Sequence, residues 1–194
     1  MKKPIRVIDY DVDDNGNLGV YAISMVERPA IGVDFVALGE AMTPKKDETK
    51  HMLYGPLLIP NQLILRIDEE TNEEYYVRYS AATIEKVAHN YLINNNQHNA
   101  TYEHERPVKD VTLVETWLIQ GEHDKSKNFN FSLPEGTWFG GLKVNNKDVW
   151  HSVEMGDVLG FSIEGKFAAI REQYLRASVP PLIQELEDLL KSAI

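Results

Sequence analysis

Residues 160–167 read Gly-Phe-Ser-Ile-Glu-Gly-Lys-Phe, and their apolar and polar side chains alternate one for one. Successive side chains of a β-strand leave opposite faces, so this spacing predicts a strand with Phe161, Ile163, Gly165 and Phe167 on one side and Ser162, Glu164 and Lys166 on the other. The apolar side calls for a core to bury it. The polar side has two readings, a wetted sheet surface or a prepared site for the serine, and spacing leaves both open.

The flanking sequence carries the same signature. Residues 4–12, PIRVIDYDV, alternate and run into the turn cluster DDNGN at 13–17, which predicts a hairpin onto a second strand over 20–26. Pro29 breaks that run. The stretch 39–51, GEAMTPKKDETKH, is polar and aperiodic and reads as a linker or mobile loop. From Met52 onward, LYGPLLIP, LILRID and EYYVRYS predict an antiparallel meander, with Pro56 and Pro60 at edges or bulges. Ser80 then suits a helix N-cap, and Ile84, Val87, Ala88, Tyr91 and Leu92 recur at helical spacing. Strand character returns over 100–105, 111–119 and 137–144, and a short helix carrying Val149, Trp150 and Val153 is predicted over 146–156. After Pro180-Pro181 comes a stripe of Ile183, Leu186, Leu189 and Leu190, which fits a helix docked on its own domain or on a second copy.

This order of elements predicts an α+β, mainly β fold, a curled or closed antiparallel β-barrel ringed by a few helices. The expected organisation is N-terminal strands joining the barrel over 1–38, a linker over 39–51, a core over 52–170 and a C-terminal amphipathic helix over 171–194.

Composition narrows the function. With 194 residues, 43% of them hydrophobic and 26% charged, the chain has the make-up of a globular domain. Thirty acidic against 20 basic residues give a net charge of −10, whose field repels phosphate backbones, so nucleic acid is not an expected partner. No apolar run nears the roughly 18 residues a membrane helix needs, and the N-terminus meets acidic residues early; a soluble cytosolic chain with no membrane partner is expected. Cysteine is absent, which excludes disulfides, thiolate metal sites and a cysteine nucleophile.

A serine hydroxyl becomes a nucleophile when a base takes its proton, and histidine is the side chain suited to that task near neutral pH. His104, in the strand-like run Tyr102-Glu103-His104-Glu105, could serve Ser162 if the two strands are neighbours; the plainer reading of each is a surface side chain. His98, His104, His123, Asp124 and nearby glutamates have the chemistry of zinc or manganese ligands, but their spacing matches no ligand pattern, and neither metal nor cofactor is expected. Trp117, Trp138, Phe139 and Trp150 fit the core better than a groove.

Several stretches taken together carry a resemblance. Gly55-Pro56-Leu57-Leu58-Ile59-Pro60-Asn61, Tyr102-Glu103-His104-Glu105, Val114-Glu115-Thr116-Trp117, Gly136-Thr137-Trp138, Lys143-Val144-Asn145-Asn146 and Gly160-Phe161-Ser162-Ile163-Glu164-Gly165 follow one another in an order that resembles the XkdF-like serine proteases of tailed phages. That group looks like a branch of the prohead maturation proteases, whose fold is of the herpesvirus assemblin type. The resemblance implies a serine endopeptidase with Ser162 as nucleophile and His104 as general base. It implies the major capsid protein and scaffold protein as substrates, and the assembling prohead in the host cytoplasm as the place of action. The alternative it allows is a catalytically inactive head scaffold of the same fold.

Residues 20–30, VYAISMVERPA, resemble a strand that follows the serine strand in prohead proteases, which implies a circular permutation. The relatives often carry an acid two places before the serine of that motif, where this chain has Ala22. Two other acids are candidates for the third member: Glu164, on the face of Ser162, and Glu115, in a strand predicted to neighbour that of His104. Oxyanion donors are sought among backbone amides near Ser162, at Gly165 and at Gly140-Gly141. The C-terminal stripe allows a homodimer.

Overall fold

A computed structural model describes residues 4–13, 18–27, 43–68 and 70–175. It contains twelve strands: β1 (Ile5–Asp11), β2 (Gly19–Val26), β3 (Lys45–Asp47), β4 (Met52–Leu58), β5 (Ile64–Ile67), β6 (Glu74–Tyr79), β7 (Ala100–Tyr102), β8 (Arg106–Val108), β9 (Val111–Leu118), β10 (Trp138–Val144), β11 (Gly160–Lys166) and β12 (Ala168–Leu175). Two α-helices accompany them, α1 (Ala81–Ile93) and α2 (Lys147–Met155). The strands form three four-stranded sheets with orders β12-β1-β6-β5, β3-β4-β10-β9 and β11-β2-β7-β8. The mainly β reading holds, whereas among the described residues no sheet closes on itself into a barrel.

The predicted hairpin between the first two strands does not form. β1 pairs with β12 and β6, while β2 pairs with β11 and β7. The two strands instead lie in sequence along a ribbon that runs from the Ile5↔Leu175 pair to the Val26↔Gly160 pair, the chain passing from one sheet to another around Phe167. Turn residues at 13–17 signal a change of direction, but both edges of each strand are taken by other partners. The meander from Met52 is likewise split: β5 and β6 pair antiparallel, and β4 goes to the sheet of β10.

Within the stretch read as a linker, residues 45–47 form β3 on the edge of β4. Its sequence, Lys-Lys-Asp, has no apolar alternation because an edge strand with charged side chains needs none, and those charges discourage further pairing. The segment assigned to a C-terminal helix begins as strand, since β12 continues to Leu175. The stripe at Ile183–Leu190 lies outside the described residues.

Both helices form where their caps and periodicity place them. Ser80 Oγ accepts from Thr83 N at 3.0 Å and starts α1, whose Ile84, Val87, Ala88 and Tyr91 are buried one helical turn apart. Asn146 Oδ1 accepts from the amides of Asp148 and Val149, and Gly156 closes α2 in the left-handed region at φ 83°. Helix α1 packs on β2 and β10, setting the Tyr91 ring edge-on to fully buried Trp138 at 5.4 Å. Trp138, Phe139 and Trp150 are core, as their sequence positions predict. Among the described residues no helix is long and apolar enough to cross a membrane.

Gly140 and Gly141 sit in the middle of β10, paired on both sides by β4 and β9. A Cβ on Gly141 would meet the Tyr54 ring at 2.6 Å, and one on Gly140 would meet Leu113 at 2.7 Å. Replacing Gly141 with alanine is therefore expected to overpack this layer and cost about 1–3 kcal/mol, read as a lower denaturation midpoint at unchanged slope; an unaltered midpoint would show that the layer has slack.

Candidate functional site

The alternation at 160–167 is borne out on its apolar side: Phe161 and Ile163 are buried. Its polar side is graded: Ser162 is only 6% exposed, Glu164 is half-buried, and Lys166 is exposed. Strand β2 lies beside β11 in antiparallel register, placing Ser24 directly opposite Ser162 and Ala22 directly opposite Glu164. On the far side of β2, parallel β7 puts Thr101 level with Ser24. Paired residues share a sheet face, so Ser162, Ser24 and Thr101 form one row of hydroxyls across three strands. Ala22 and Glu164 make the neighbouring rung.

His104 reaches this face from a turn and not from a strand. Strands β7 and β8 pair so that Tyr102 faces Arg106, leaving Glu103, His104 and Glu105 as the connection. Glu103 and His104 both have positive φ, 52° and 57°, and Glu105 N donates to Tyr102 O at 3.1 Å. Consecutive left-handed residues are what a tight hairpin with native strand twist requires, and each non-glycine residue there costs about 1–2 kcal/mol. Three hydrogen bonds to β2 and its end offset that strain. Glu103 N donates to Met25 O at 3.1 Å, His104 N donates to Ser24 Oγ at 3.0 Å, and the Glu103 carboxylate accepts from Glu27 N at 2.5 Å.

So held, the imidazole meets the serine strand. His104 Nδ1 lies 3.1 Å from Glu164 Oε1, and the same oxygen accepts a hydrogen bond from Thr101 Oγ1. A carboxylate only accepts hydrogen bonds, so in the neutral ring this contact favours the proton on Nδ1, the tautomer that leaves Nε2 with its lone pair. Among the described residues no hydrogen bond joins Ser162 Oγ to the ring. The His104 backbone N–H bonds the hydroxyl of Ser24, the residue facing Ser162, and such facing pairs have Cβ atoms about 4.5–5.5 Å apart.

Two of the predicted site residues, His104 and Glu164, therefore meet directly, on the strand that bears Ser162. Glu115 does not join them. Its carboxylate accepts from Tyr54 Oη at 2.9 Å and pairs with Lys125, the hydrogen bond from Lys125 being the main cause that holds it below the usual carboxylate range. Burial, followed by that bond to Glu115, pushes the Tyr54 phenol up to about 12. The strand of Glu115, β9, belongs to the sheet of β10 and not to that of β7.

The metal-ligand set is also dispersed. His98 Nδ1 lies 3.0 Å from Thr112 Oγ1, and Asp124 caps a 3-10 turn by accepting from Ser126 N at 2.8 Å while also taking the Trp117 indole N–H at 3.0 Å. Among the described residues no group of three or more histidines and carboxylates could hold a metal ion. The amides of Gly140 and Gly141 belong to a different sheet from Ser162, with ladder partners on both sides.

Sequence reasoning passed over Ser24 and Thr101. The signal for Ser24 was a polar residue amid Ala22, Ile23, Met25 and Val26, since a serine inside a buried strand requires a hydrogen-bond partner.

No curated protein and no solved structure matches the chain. A family model described as "Putative phage serine protease XkdF" matches residues 41–171, the span that holds His104, Ser162 and Glu164. With about two thirds of its length matched, from β3 through the first half of β12, the chain belongs to this XkdF family.

Proposed function

We propose that this protein is a prohead maturation peptidase that cleaves scaffold and capsid-protein extensions inside the assembling phage head, in the host cytoplasm, through an acyl-enzyme on Ser162. The observation that carries the reading is the Glu164–His104 contact on the face and strand of Ser162. Glu164 accepts the Nδ1 proton and thereby fixes the tautomer in which Nε2 is a base. That is the task an acid at position 22 would perform in the relatives, and Glu164 stands on the same rung from the adjacent strand. The placement of β2 beside β11, although it comes first in the chain, supports the circularly permuted, assemblin-like arrangement.

In the reaction, His104 Nε2 takes the Ser162 Oγ proton as that oxygen attacks the scissile carbonyl carbon. The tetrahedral intermediate collapses, the C–N bond breaks, and the imidazolium gives the same proton to the departing amine. Water, deprotonated by His104, then releases the acid product and restores the hydroxyl. The Ser162 hydroxyl closes on Nε2 when substrate is bound, since hydrogen bonds of this kind are often long in the free enzyme.

The second reading is an inactive head scaffold of the same fold, and one observation favours it: Ser162 is nearly buried and is not hydrogen-bonded to the ring. A fluorophosphonate probe separates the two. Stoichiometric labelling at Ser162, located by mass spectrometry and abolished by His104→Ala, is the expected result; a protein that stays unlabelled while folded would leave the scaffold.

Glu164→Gln keeps size and a hydrogen-bonding group but no longer selects the tautomer. It is expected to slow labelling by about 10²–10⁴-fold with little change in thermal stability. The corresponding Glu115→Gln change is expected to leave labelling within about two-fold of the parent, because a carboxylate in another sheet has no part in the proton transfer. In an assembly assay, Ser162→Ala should leave the coat and scaffold proteins at full length.

A further inference from the structure

We infer that Thr101 and Ser24 are positioning residues: Thr101 holds the Glu164 carboxylate in line with the His104 ring, and Ser24 holds the His104 backbone in its left-handed turn. This rests on the reading of His104 as the base.

The two hydroxyls stand side by side on β7 and β2, in the row that ends at Ser162. Thr101 Oγ1 donates to Glu164 Oε1, the oxygen that also receives the His104 Nδ1 proton. A glutamate side chain has three rotatable bonds, so one acceptor contact to an imidazole leaves it free to swing toward solvent. The second donor removes that freedom, and threonine suits the task because its branched Cβ restricts the direction in which the hydroxyl points. Outer groups of this kind fix the orientation of the ones that act.

Ser24 works on the other end of the same histidine. Its side chain is fully buried, a location where an unpaired hydroxyl is costly, and its Oγ accepts from His104 N at 3.0 Å. Ala22, the preceding residue on the same face of β2, is buried without a hydroxyl, so burial alone does not call for one at 24. The bond closes the hairpin onto β2 at the residue facing Ser162, which ties the position of the base to that of the nucleophile.

The test uses the full chain with ¹⁵N-labelled histidine. In the parent, neutral His104 is expected to carry its proton on Nδ1. Thr101→Val is expected to shift it toward the Nε2 tautomer and to slow fluorophosphonate labelling of Ser162 about 10–100-fold, the worth of a hydrogen bond to a charged group, with Thr101→Ser restoring both. Should the valine variant fail to fold, Thr101→Ala gives the same readout. Ser24→Ala is expected to speed hydrogen exchange at the His104 amide by roughly 3–10-fold.

A Thr101→Val protein with the parent's tautomer overturns the role of Thr101, as does a parent whose His104 is protonated on Nε2. Unchanged exchange at His104 overturns the role of Ser24. If the parent proves unreactive to the probe while its tautomer still depends on Thr101, the positioning stands and the peptidase reading falls.

Discussion

A single carboxylate oxygen on one strand ties down a second strand, far away in the chain, and the turn that follows it. Glu164 on β11 receives His104 from the β7–β8 turn and Thr101 from β7, with β2 lying between them. If this junction is loosened, the histidine has no reason to lie on the serine's face, and its turn is left with unfavourable dihedrals. The rest of the sheet can be understood as a frame that keeps the junction in register. The central strand, β2, is buried along most of its length, and its antiparallel ladder with β11 sets which residues stand opposite Ser162 and Glu164.

The strain and the hydrogen bonds at residues 103–104 are of similar size. Two left-handed non-glycine residues cost about 2–4 kcal/mol together. Three hydrogen bonds contribute net stabilisation of about the same magnitude. Strained backbone held by its surroundings is a recurrent property of functional sites. The turn leaves the imidazole exposed, while Ser162 is buried.

Much of this was legible in the sequence. Period-two alternation located β11, and the family motifs pointed to Ser162 and His104. Ser80 and Asn146 marked both helix starts through their capping chemistry. Sheet membership was not legible: alternation says that a residue run is a strand and which faces it has, but register and partners depend on distant surfaces. The hairpin expected at 13–17, the meander from Met52 and the placement of Glu115 all failed for that one reason. Glu164 was recoverable because it shares a strand with Ser162, so its face followed from counting. Thr101 and Ser24 were hidden because their significance arises only when β7, β2 and β11 are aligned.

The missing acid at Ala22 also becomes intelligible once strands are paired. Two residues facing each other across an antiparallel pair occupy nearly the same point on one sheet face, so a carboxylate can change strands with little change in where its charge sits. The central claim is that His104, oriented by Glu164, serves Ser162. A crystal structure of the protein with a peptidyl phosphonate bonded to Ser162 tests it most directly, through the distance from His104 Nε2 to the Ser162 oxygen. A value of about 2.6–3.2 Å with the Glu164 contact intact is predicted; an imidazole still bonded to Glu164 but turned out of reach of that oxygen would contradict it.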